Sequence, residues 1–436
     1  MKINIVGGGL AGSEIALTLA SHKVKSKLYE MRPKKMTEVH KTGNLGELVC
    51  SNSLKSELLS NASGLLKAEL KLLNSLLLQI AENNKIPAGK AFAVDRNKFS
   101  SEITQKIHSS KYIDLVNEEI SCIDLSDRNN IWIIATGPVT SKSLENWLSQ
   151  LFGENLFFFD AVAPIVSADS INMENAFIAD RYGVGTGDYI NCPLEKSNYE
   201  NFVKELINAE QAPIENFSDK LLFERCQPIE EIAKKGKDAL RYGPLKPVGL
   251  VDPKTGREPY AVMQLRSENK ANTLYNLVGC QTRLKWKEQK RVFQIIPALN
   301  KAEFVRYGVM HRNTYLNSPV ILNSYLQSRT YPNLFFAGQI TGMEGYVESI
   351  GSGTYVSLNV LRLFQNKRMI RLPDNTMLGS LIEHVTEKAR VPLNPYYANF
   401  GLLPQVNRRM NKQKKREMQS STALTNLKKF ISEVQL

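Results

Sequence analysis

The feature that most constrains the fold is a glycine cluster that follows an apolar run near the start of the chain. Residues 2–6 are rich in isoleucine and valine, Gly7, Gly9 and Gly12 come next, and residues 15–20 are rich in alanine and leucine. This order predicts a strand, a tight turn and a helix, with the glycines at the G-x-G-x-x-G spacing. Gly7 permits the turn, Gly9 lets the backbone approach a pyrophosphate, and Gly12 lets the helix pack closely on the strand. The pattern predicts a dinucleotide-binding unit.

An acidic residue stands where such a unit holds the ribose. A second predicted strand ends in Glu30, about 20 residues beyond the glycines, where a carboxylate binds the hydroxyls of an adenosine ribose. Glu30 favours an unphosphorylated ribose, as in FAD or NAD. The alternative is a glycine-rich connection followed by a surface glutamate. The candidate cofactor-binding residues in this part of the chain are Gly7, Gly8, Gly9, Leu10, Ala11, Gly12, Glu30, Met31 and Arg32.

Cofactor-type sequence returns twice further along the chain. Residues 131–137 read as a strand that ends in small residues, and residues 333–342 read as a strand that runs into glycines, with a helix predicted over residues 355–364. Such patterns at both ends of the chain indicate one cofactor domain built from both ends, which favours FAD. The further candidate cofactor-binding residues are Ala135, Thr136, Gly137, Gly338, Gln339 and Gly351.

The predicted fold class is α/β: a Rossmann-like FAD-binding domain of the glutathione-reductase type with an inserted α+β domain. Residues 1–185 would form the first part of the FAD-binding domain, residues 186–317 the insertion, and residues 318–436 the second part with a basic tail. The middle segment is irregular and basic, and it does not continue a βαβ repeat. Leucines at mixed three- and four-residue spacings predict one long amphipathic helix over residues 58–77.

Composition and charge narrow the function classes. The 436 residues are 42% hydrophobic and 23% charged, and none of the apolar stretches reaches the ~18 residues of a membrane span. The net charge is +13. This excess favours a polyanionic partner such as RNA, although a lysine-rich composition without such a partner explains it equally well. The oligomeric state stays open, with a monomer slightly favoured.

The cysteines indicate a reducing compartment. Cys50, Cys122, Cys192, Cys226 and Cys280 are scattered, odd in number and never form a C-x-x-C pair. This spacing argues against a disulfide framework and against a zinc or other metal site, and it favours a cytoplasmic protein.

Several long motifs resemble one family, the folate- and FAD-dependent tRNA (uracil-5-)-methyltransferases (the TrmFO/Gid family). The resemblance covers essentially the whole chain. Its motifs are GGGLAGSE at 7–14, LYEMRP at 28–33, ELVCSNSL at 47–54, INCP at 190–193, CQPIEEIAKKGK at 226–237, YGPLKPVGL at 242–250, RYGVMHRNTYLNSP at 306–319 and FFAGQITGMEGYVES at 335–349.

The resemblance implies a reaction and its cofactors. The one-carbon unit of 5,10-methylenetetrahydrofolate would pass to carbon 5 of a uracil, at position 54 in the T loop of tRNA, with reduced FAD as the reductant and NADPH or NADH as the source of electrons. A close relative of the family acts on a uridine of 23S rRNA, and no motif separates the two substrates.

The resemblance also assigns the reactive cysteines. Cys226 would add to carbon 6 of the uracil, and the neighbouring Arg225, Lys234 and Lys235 favour its thiolate. The alternative is a buried structural cysteine. Cys50 would lie near the flavin, where it forms a covalent flavin adduct or removes the carbon 5 proton. Cys122, Cys192 and Cys280 are interpreted as structural.

The remaining candidates concern folate and RNA. His311 would face the folate ring, with Arg312 as an anion or RNA contact, although a hydrogen-bonded core histidine is an equal alternative. Trp286 or Tyr242 would stack a flipped base. The predicted phosphate contacts are Lys234, Lys235, Lys237, Arg241, Lys246, Arg283 and Lys285, with the tail residues Arg408, Arg409, Lys412, Lys414, Lys415 and Arg416 as a solvated helix face or a further RNA contact.

Two competing functions remain open from the sequence. A small-molecule flavin oxidoreductase would turn over its substrate without RNA and without Cys226. A non-enzymatic flavoprotein or RNA-binding module would tolerate the loss of both Cys50 and Cys226.

Overall fold

The structure is a computed structural model of the chain. It describes residues 1–153, 155–157, 160–161, 163–183, 185, 187–212, 227–267, 272, 274–308, 310–311, 314–387, 395–404 and 411–435.

The described residues form the following helices and strands. The helices are α1 (Leu10–Ser21), α2 (Ala62–Leu72), α3 (Leu76–Asn83), α4 (Arg96–His108), α5 (Lys142–Phe152), α6 (Lys196–Asn208), α7 (Ile229–Lys234), α8 (Ala239–Tyr242), α9 (Trp286–Phe293), α10 (Ser318–Ile321), α11 (Tyr346–Phe364), α12 (Met377–Thr386) and α13 (Lys412–Val434). The strands are β1 (Lys2–Val6), β2 (Ser26–Tyr29), β3 (Ser53–Ser56), β4 (Lys85–Ile86), β5 (Ala91–Val94), β6 (Ile113–Val116), β7 (Asn130–Ile134), β8 (Leu156–Phe157), β9 (Asp160–Ala161), β10 (Ile165–Ser167), β11 (Phe177–Ile178), β12 (Tyr189–Leu194), β13 (Ala261–Ser267), β14 (Leu274–Leu277), β15 (Phe304–Arg306), β16 (Met310–His311), β17 (Tyr315–Leu316) and β18 (Leu334–Phe336). Among the helices of this described part, none has the length and apolarity that a bilayer crossing requires.

The first sheet joins distant parts of the chain. Its five parallel strands run in the order β18-β7-β1-β2-β6, so the strand at one edge comes from more than 300 residues after the central one. The central β1 strand is buried along Ile3–Val6, as expected of a strand covered on both faces. The predicted fold class, a Rossmann-like domain built from both ends of the chain with a second α+β unit, is confirmed.

A second, antiparallel sheet forms its own core. Its six strands run in the order β11-β12-β13-β14-β10-β15. The core on this sheet includes Cys192 and Cys280 together with Phe202 of α6 and Phe293 of α9. Strands β10 and β11 precede residue 186, so the sheet draws strands from both sides of the predicted boundary. The two domain boundaries, at 185/186 and 317/318, remain a prediction.

The long helix predicted over residues 58–77 is wrong. The chain forms α2 and α3 instead, because Asn74 takes a left-handed backbone with φ +58° and Ser75 starts a new helix. The buried Glu14 carboxylate accepts the Leu76 amide at 3.3 Å and the Leu77 amide at 2.8 Å. Leucine spacing does not reveal this break, but Ser75 is a local signal for it, because its hydroxyl accepts the Leu78 amide at 3.4 Å as an N-cap.

The helix predicted to start at residue 355 begins nine residues earlier, at Tyr346. Gly351 and Gly353 therefore lie inside α11 rather than in a turn. A Cβ at Gly353 would lie 2.7 Å from the Ala11 carbonyl oxygen, so a glycine is needed for the close crossing of α11 over α1. The requirement is tertiary packing, which overrides the low helix propensity of glycine.

A second buried carboxylate starts α12. Glu69 is fully buried in α2, and its oxygens accept the amides of Met377 at 2.6 Å and Leu378 at 2.9 Å. Burial raises the pKa of Glu69 to about 7, although these two hydrogen bonds oppose the shift. The group therefore changes its charge near neutral pH while it is held in the core.

We expect this carboxylate to make stability depend on pH. The pKa of Glu69 in the folded protein exceeds the ordinary 4.5. The contribution of Glu69 to the free energy of unfolding is therefore complete below pH 4.5 and is lost as the pH rises through about 7. The loss reaches on the order of 3 kcal/mol. Glu69→Gln stays neutral and keeps one acceptor, so the free energy of unfolding, measured in urea across this range, should vary less with pH. The exposed Glu174→Gln is the matched control, and an unchanged pH dependence in Glu69→Gln would contradict the prediction.

Candidate functional site

A cleft opens where the parallel strands end. Its walls include Gly7 after β1, Glu30 after β2, Thr136 after β7 and Gly338 after β18. All four are at the carboxyl ends of their strands, the edge at which open α/β sheets bind ligands. The sheet order therefore brings together turns that are far apart in sequence.

The glycine turn forms a cradle at one end of this cleft. Gly7 has φ +104°, and a Cβ there would lie 2.7 Å from the Ala135 carbonyl oxygen. A Cβ at Gly12 would lie 1.9 Å from the Gly7 carbonyl oxygen, whereas a Cβ at Gly9 would meet no atom within 4 Å. Helix α1 has no side-chain cap at Gly9. Its first amides therefore point toward the cleft, as required for a phosphate.

Glu30 forms a buried ion pair at the edge of the cradle. Its carboxylate accepts the Gly8 amide at 2.9 Å and the Arg32 side chain at 3.0 Å and 3.1 Å. Burial opposes ionisation, but the hydrogen bonds and charge of Arg32 outweigh it and hold the pKa of Glu30 below its ordinary value. Arg32 also pairs with Glu47 at 3.4 Å. The Arg32 amide also donates to this carboxylate at 3.0 Å, so the carboxylate is fixed as an anion by two donors on each oxygen.

The predicted cofactor residues divide into two groups. Those that line the cleft are Gly7, Gly9, Leu10, Ala11, Glu30, Met31, Arg32, Ala135, Thr136, Gly137, Gly338 and Gln339. Gly8 and Gly12 lie behind the lining, where they allow the close packing. The structure does not bring Gly351 to the cleft: a Cβ on it would lie 3.0 Å from a methyl carbon of Leu378, so it serves helix packing.

Cys50 lines the same cleft, where the hydroxyl of Tyr346 holds it. The Tyr346 oxygen lies 2.8 Å from the Cys50 amide nitrogen, 3.2 Å from the Ser51 amide nitrogen and 2.9 Å from the Cys50 sulfur. Tyr346 is the first residue of α11 and also lines the cleft. One hydroxyl therefore fixes both the backbone and the thiol of this cysteine.

The residues after Cys50 join the two sheets. The Ser51 hydroxyl contacts the guanidinium of Arg266 on β13. The Asn52 side-chain amide donates to the Ser267 carbonyl at 2.8 Å and to the Val94 carbonyl at 3.3 Å. The second sheet is therefore anchored beside the cleft by the segment that carries the cysteine.

The other reactive residues are only partly within the described chain. Cys226 and Arg312 lie outside the described residues, and of His311 only the backbone is described, paired with Asp160 across β16 and β9. The interpretation of Cys192 and Cys280 fits their burial, which raises the pKa of each thiol. Cys122, in contrast, is exposed and is not a core residue.

Trp286 lies away from the cleft lining, at the start of α9, and is 63% exposed. Its ring stacks on Tyr307 with centroids 5.5 Å apart and planes 11° apart. Tyr307 stacks in turn on Phe304 at 5.4 Å and 6°. The exposed face of Trp286 is thus the end of a rigid three-ring stack.

The predicted phosphate contacts are mostly engaged within the protein. Lys234 pairs with Glu231 at 2.9 Å, Arg283 pairs with Glu231, and Lys285 pairs with Glu210. Arg241 donates to the Tyr260 carbonyl at 2.8 Å. Lys235 bonds Gln227, Lys237 and Lys246 are exposed, and Tyr242 is exposed as well.

Sequence reasoning missed several residues of the cleft. Tyr346 belongs to a quoted motif, and its position directly after Gly345 is the one signal that marks it. Thr37 and His40 line the cleft from the loop after β2, and their side chains bond each other at 2.6 Å. Loop residues carry no periodic pattern, so no sequence signal identifies these two.

This chain is similar to known proteins over almost its whole length. The family model described as glucose inhibited division protein A matches residues 2–368. The TrmFO methylenetetrahydrofolate–tRNA-(uracil-5-)-methyltransferases of Thermosipho melanesiensis and Thermotoga maritima are each 55% identical to this chain, over 431 and 435 residues, and each alignment covers 99% of both chains. The structure of Aquifex aeolicus GidA in its form II crystal superposes with a TM-score of 0.71 at 15% identity, over 99% of this chain and 73% of that one. The last likeness shows a shared fold.

Gly9 offers a direct test of the cradle. Its backbone at φ −74°, ψ −165° is open to any residue, and a side chain there meets only the space of the cleft. We expect Gly9→Val to fold normally and to lose bound FAD, measured by flavin absorbance after denaturation. The thermal stability of flavin-free wild type and variant should agree, while Gly9→Ala should retain more flavin than Gly9→Val. Full flavin content in Gly9→Val would contradict the prediction that the cofactor binds in the space beside Gly9.

Proposed function

We propose that this chain, which belongs to the methylenetetrahydrofolate–tRNA-(uracil-5-)-methyltransferase (TrmFO) family, forms 5-methyluridine at position 54 of tRNA in the cleft that Cys50 lines. The chain is a folate-dependent RNA methyltransferase that acts on carbon 5 of a uracil. The observation that supports the location is the meeting of a dinucleotide cradle and a tyrosine-bound cysteine in one cleft.

The cleft suits FAD. The uncapped amides at the start of α1 would bind the pyrophosphate, Glu30 would bind the ribose, and Gly338 and Cys50 would border the flavin ring. When bound, FAD supplies the two electrons that reduce the transferred methylene group to a methyl group. NADPH or NADH, visiting the cleft transiently, would return these electrons.

The uracil needs activation, because its carbon 5 is a weak nucleophile. Addition of the Cys226 thiolate to carbon 6 forms a carbon–sulfur bond and makes carbon 5 electron-rich. Carbon 5 then takes the methylene carbon and gives its proton to a base, and the bond from this carbon to the folate nitrogen breaks, so that tetrahydrofolate leaves with the electron pair. Two-electron reduction of the remaining methylene group would give the methyl group, and elimination of the thiolate from carbon 6 restores the ring. We assign Cys226 as the nucleophile and Cys50 as the base for the carbon 5 proton.

The folate ring must lie beside both the uracil and the flavin for this transfer. We assign His311 to the face of the folate ring and Arg312 to an anionic group of folate or RNA. Strand β16 carries His311 and pairs with β9. The test of this assignment is folate affinity in His311→Ala.

We expect the two cysteines to separate the candidate functions. With labelled methylenetetrahydrofolate, NADPH and a tRNA transcript, Cys226→Ala should lose methyl transfer and Cys50→Ala should lose about 100-fold or more. The exposed Cys122→Ala is the matched control and should keep its activity.

The same assay distinguishes the alternatives. Labelling of a 23S rRNA transcript but not of tRNA would move the substrate to ribosomal RNA. NADPH oxidation that is coupled to a small molecule without RNA labelling would favour a flavin oxidoreductase. Full activity in both cysteine variants would remove the proposed chemistry.

The Trp286 stack suits an unpaired RNA base. An exposed ring with a rigid support loses little entropy when a base stacks on it, and such stacking contributes about 1–3 kcal/mol per base. Lys285 and Lys287 precede and follow Trp286 in the sequence, and both are exposed. We propose that this part of the second sheet's domain binds the loop of the RNA, with the ring on a base and the lysines on phosphates.

Salt dependence should separate these two kinds of contact. Trp286→Ala should weaken tRNA binding by on the order of tenfold and leave the salt dependence unchanged, whereas Trp286→Phe should retain most of the affinity. Lys287→Ala should reduce the slope of log K against log salt concentration by about 0.9 for each lost phosphate contact. Filter binding over a salt series measures both. Equal slopes in all three variants would exclude Lys287 from the interface.

A further inference from the structure

We propose that Tyr346 is a positioning residue for Cys50: its hydroxyl donates a hydrogen bond to the Cys50 sulfur and favours the thiolate over the thiol. The thiolate is the form of Cys50 that can act as the base in the proposed function. The importance of the hydrogen bond for catalysis therefore rests on that proposed function. The hydrogen bond itself is a property of the protein without RNA or folate.

The direction of the hydrogen bond follows from the other partners of the hydroxyl. The amides of Cys50 and Ser51 lie 2.8 Å and 3.2 Å from the Tyr346 oxygen, and an amide N–H can only donate. These two bonds occupy the acceptor positions of the phenolic oxygen. Its single proton remains, and the Cys50 sulfur at 2.9 Å is the neighbour placed to accept it.

The proton stays on the tyrosine. Burial of the hydroxyl raises the pKa of Tyr346 well above its ordinary value, and the negative charge of a Cys50 thiolate raises it further. A phenol that does not ionise is a permanent donor at neutral pH. A sulfur that faces such a donor is stabilised when it carries negative charge, because hydrogen bonds to ionised groups are stronger than neutral ones.

The positive charge of Arg96 also acts on the pair formed by the Tyr346 hydroxyl and the Cys50 sulfur. The positive charge of Arg96, the first residue of α4, lowers the pKa of Tyr346 against the effect of burial. A positive charge that acts on the Tyr346 oxygen, which lies 2.9 Å from the Cys50 sulfur, would also favour negative charge on that sulfur.

Other charged groups surround the pair, and the test must hold them constant. They are Arg266 of β13, Glu348 of α11 with its partner Lys55, and Glu47 with its partner Arg32. Tyr346→Phe leaves each of them in place and removes one oxygen. The difference between this variant and wild type therefore reports on the hydroxyl.

The experiment is the pH profile of Cys50 alkylation in the flavin-loaded protein. Iodoacetamide alkylates the thiolate with loss of iodide, and peptide mass spectrometry gives the rate for Cys50 separately from the exposed Cys122. In Tyr346→Phe the midpoint of the Cys50 profile should rise by about one to two pH units, while the profile of Cys122 stays unchanged.

Tyr355→Phe is the matched control on the same helix. Its hydroxyl shares one proton between the carbonyls of Ser324 at 2.8 Å and Ile370 at 3.0 Å, away from the cleft. This variant removes a buried hydroxyl of the same kind, so it should leave the Cys50 midpoint where it is in wild type. A shift of equal size in both variants would indicate general loosening and would overturn the proposal.

A second variant covers the case in which Tyr346→Phe loses flavin or fails to fold. Incorporation of 3-fluorotyrosine at position 346 keeps the ring and makes the phenol a stronger donor, so the Cys50 midpoint should fall below that of wild type. An unchanged midpoint in this variant overturns the proposal. If a Tyr346 variant loses methyl transfer but keeps the wild-type pH profile of Cys50 alkylation, Tyr346 does not act through the Cys50 thiolate. That result would overturn the proposal and leave the proposed function standing.

Discussion

The structure depends on the close crossing of α1 by α11. Gly353 of α11 faces the backbone of Ala11, and the Thr354 hydroxyl donates to the Glu14 carboxylate at 2.9 Å. A side chain at Gly353 would push the two helices apart. Helices that carry ordinary side chains at the crossing pack with their axes about 8–10 Å apart. This crossing attaches the C-terminal part of the chain to the N-terminal cradle. It also sets the position of Tyr346, one end of the same helix, against Cys50.

Buried carboxylates extend the same arrangement. Glu14 starts α3 and Glu69 starts α12, each by accepting two backbone amides inside the core. A carboxylate at a helix N-terminus is stabilised by the helix dipole, and each bond satisfies an amide that has no partner within its helix. Burial raises the pKa of both groups. Helices far apart in sequence are thereby locked onto α1 and α2 by polar contacts that only one packing satisfies.

The sequence predicts the parts of this structure that depend on local pattern. The strand–turn–helix unit, Glu30 and the strands before Ala135 and Gly338 all follow from glycine spacing and apolar runs. The start of α11 at Tyr346 and the packing role of Gly351 depend on contacts with other elements, which a local pattern does not record. The break at Asn74 has a local signal in the N-cap Ser75, but leucine spacing alone does not reveal it.

The same limit applies to charge. The lysines and arginines in the second sheet's domain predict phosphate contacts. The carboxylates with which they pair inside the protein determine which of them could bind a phosphate instead. Lys285 and its partner Glu210 are 45% and 67% exposed, and an exposed pair contributes about 0–1 kcal/mol, so a phosphate can replace the carboxylate at small cost. Arg283 is 16% exposed and its partner Glu230 is fully buried. Burial raises the pKa of Glu230, and the hydrogen bonds from Thr282 and Arg283 together with the charge of Arg283 oppose that shift, so moving Arg283 to a phosphate would remove part of what holds this carboxyl in the core. Lys285 is therefore available to RNA, and Arg283 serves the fold.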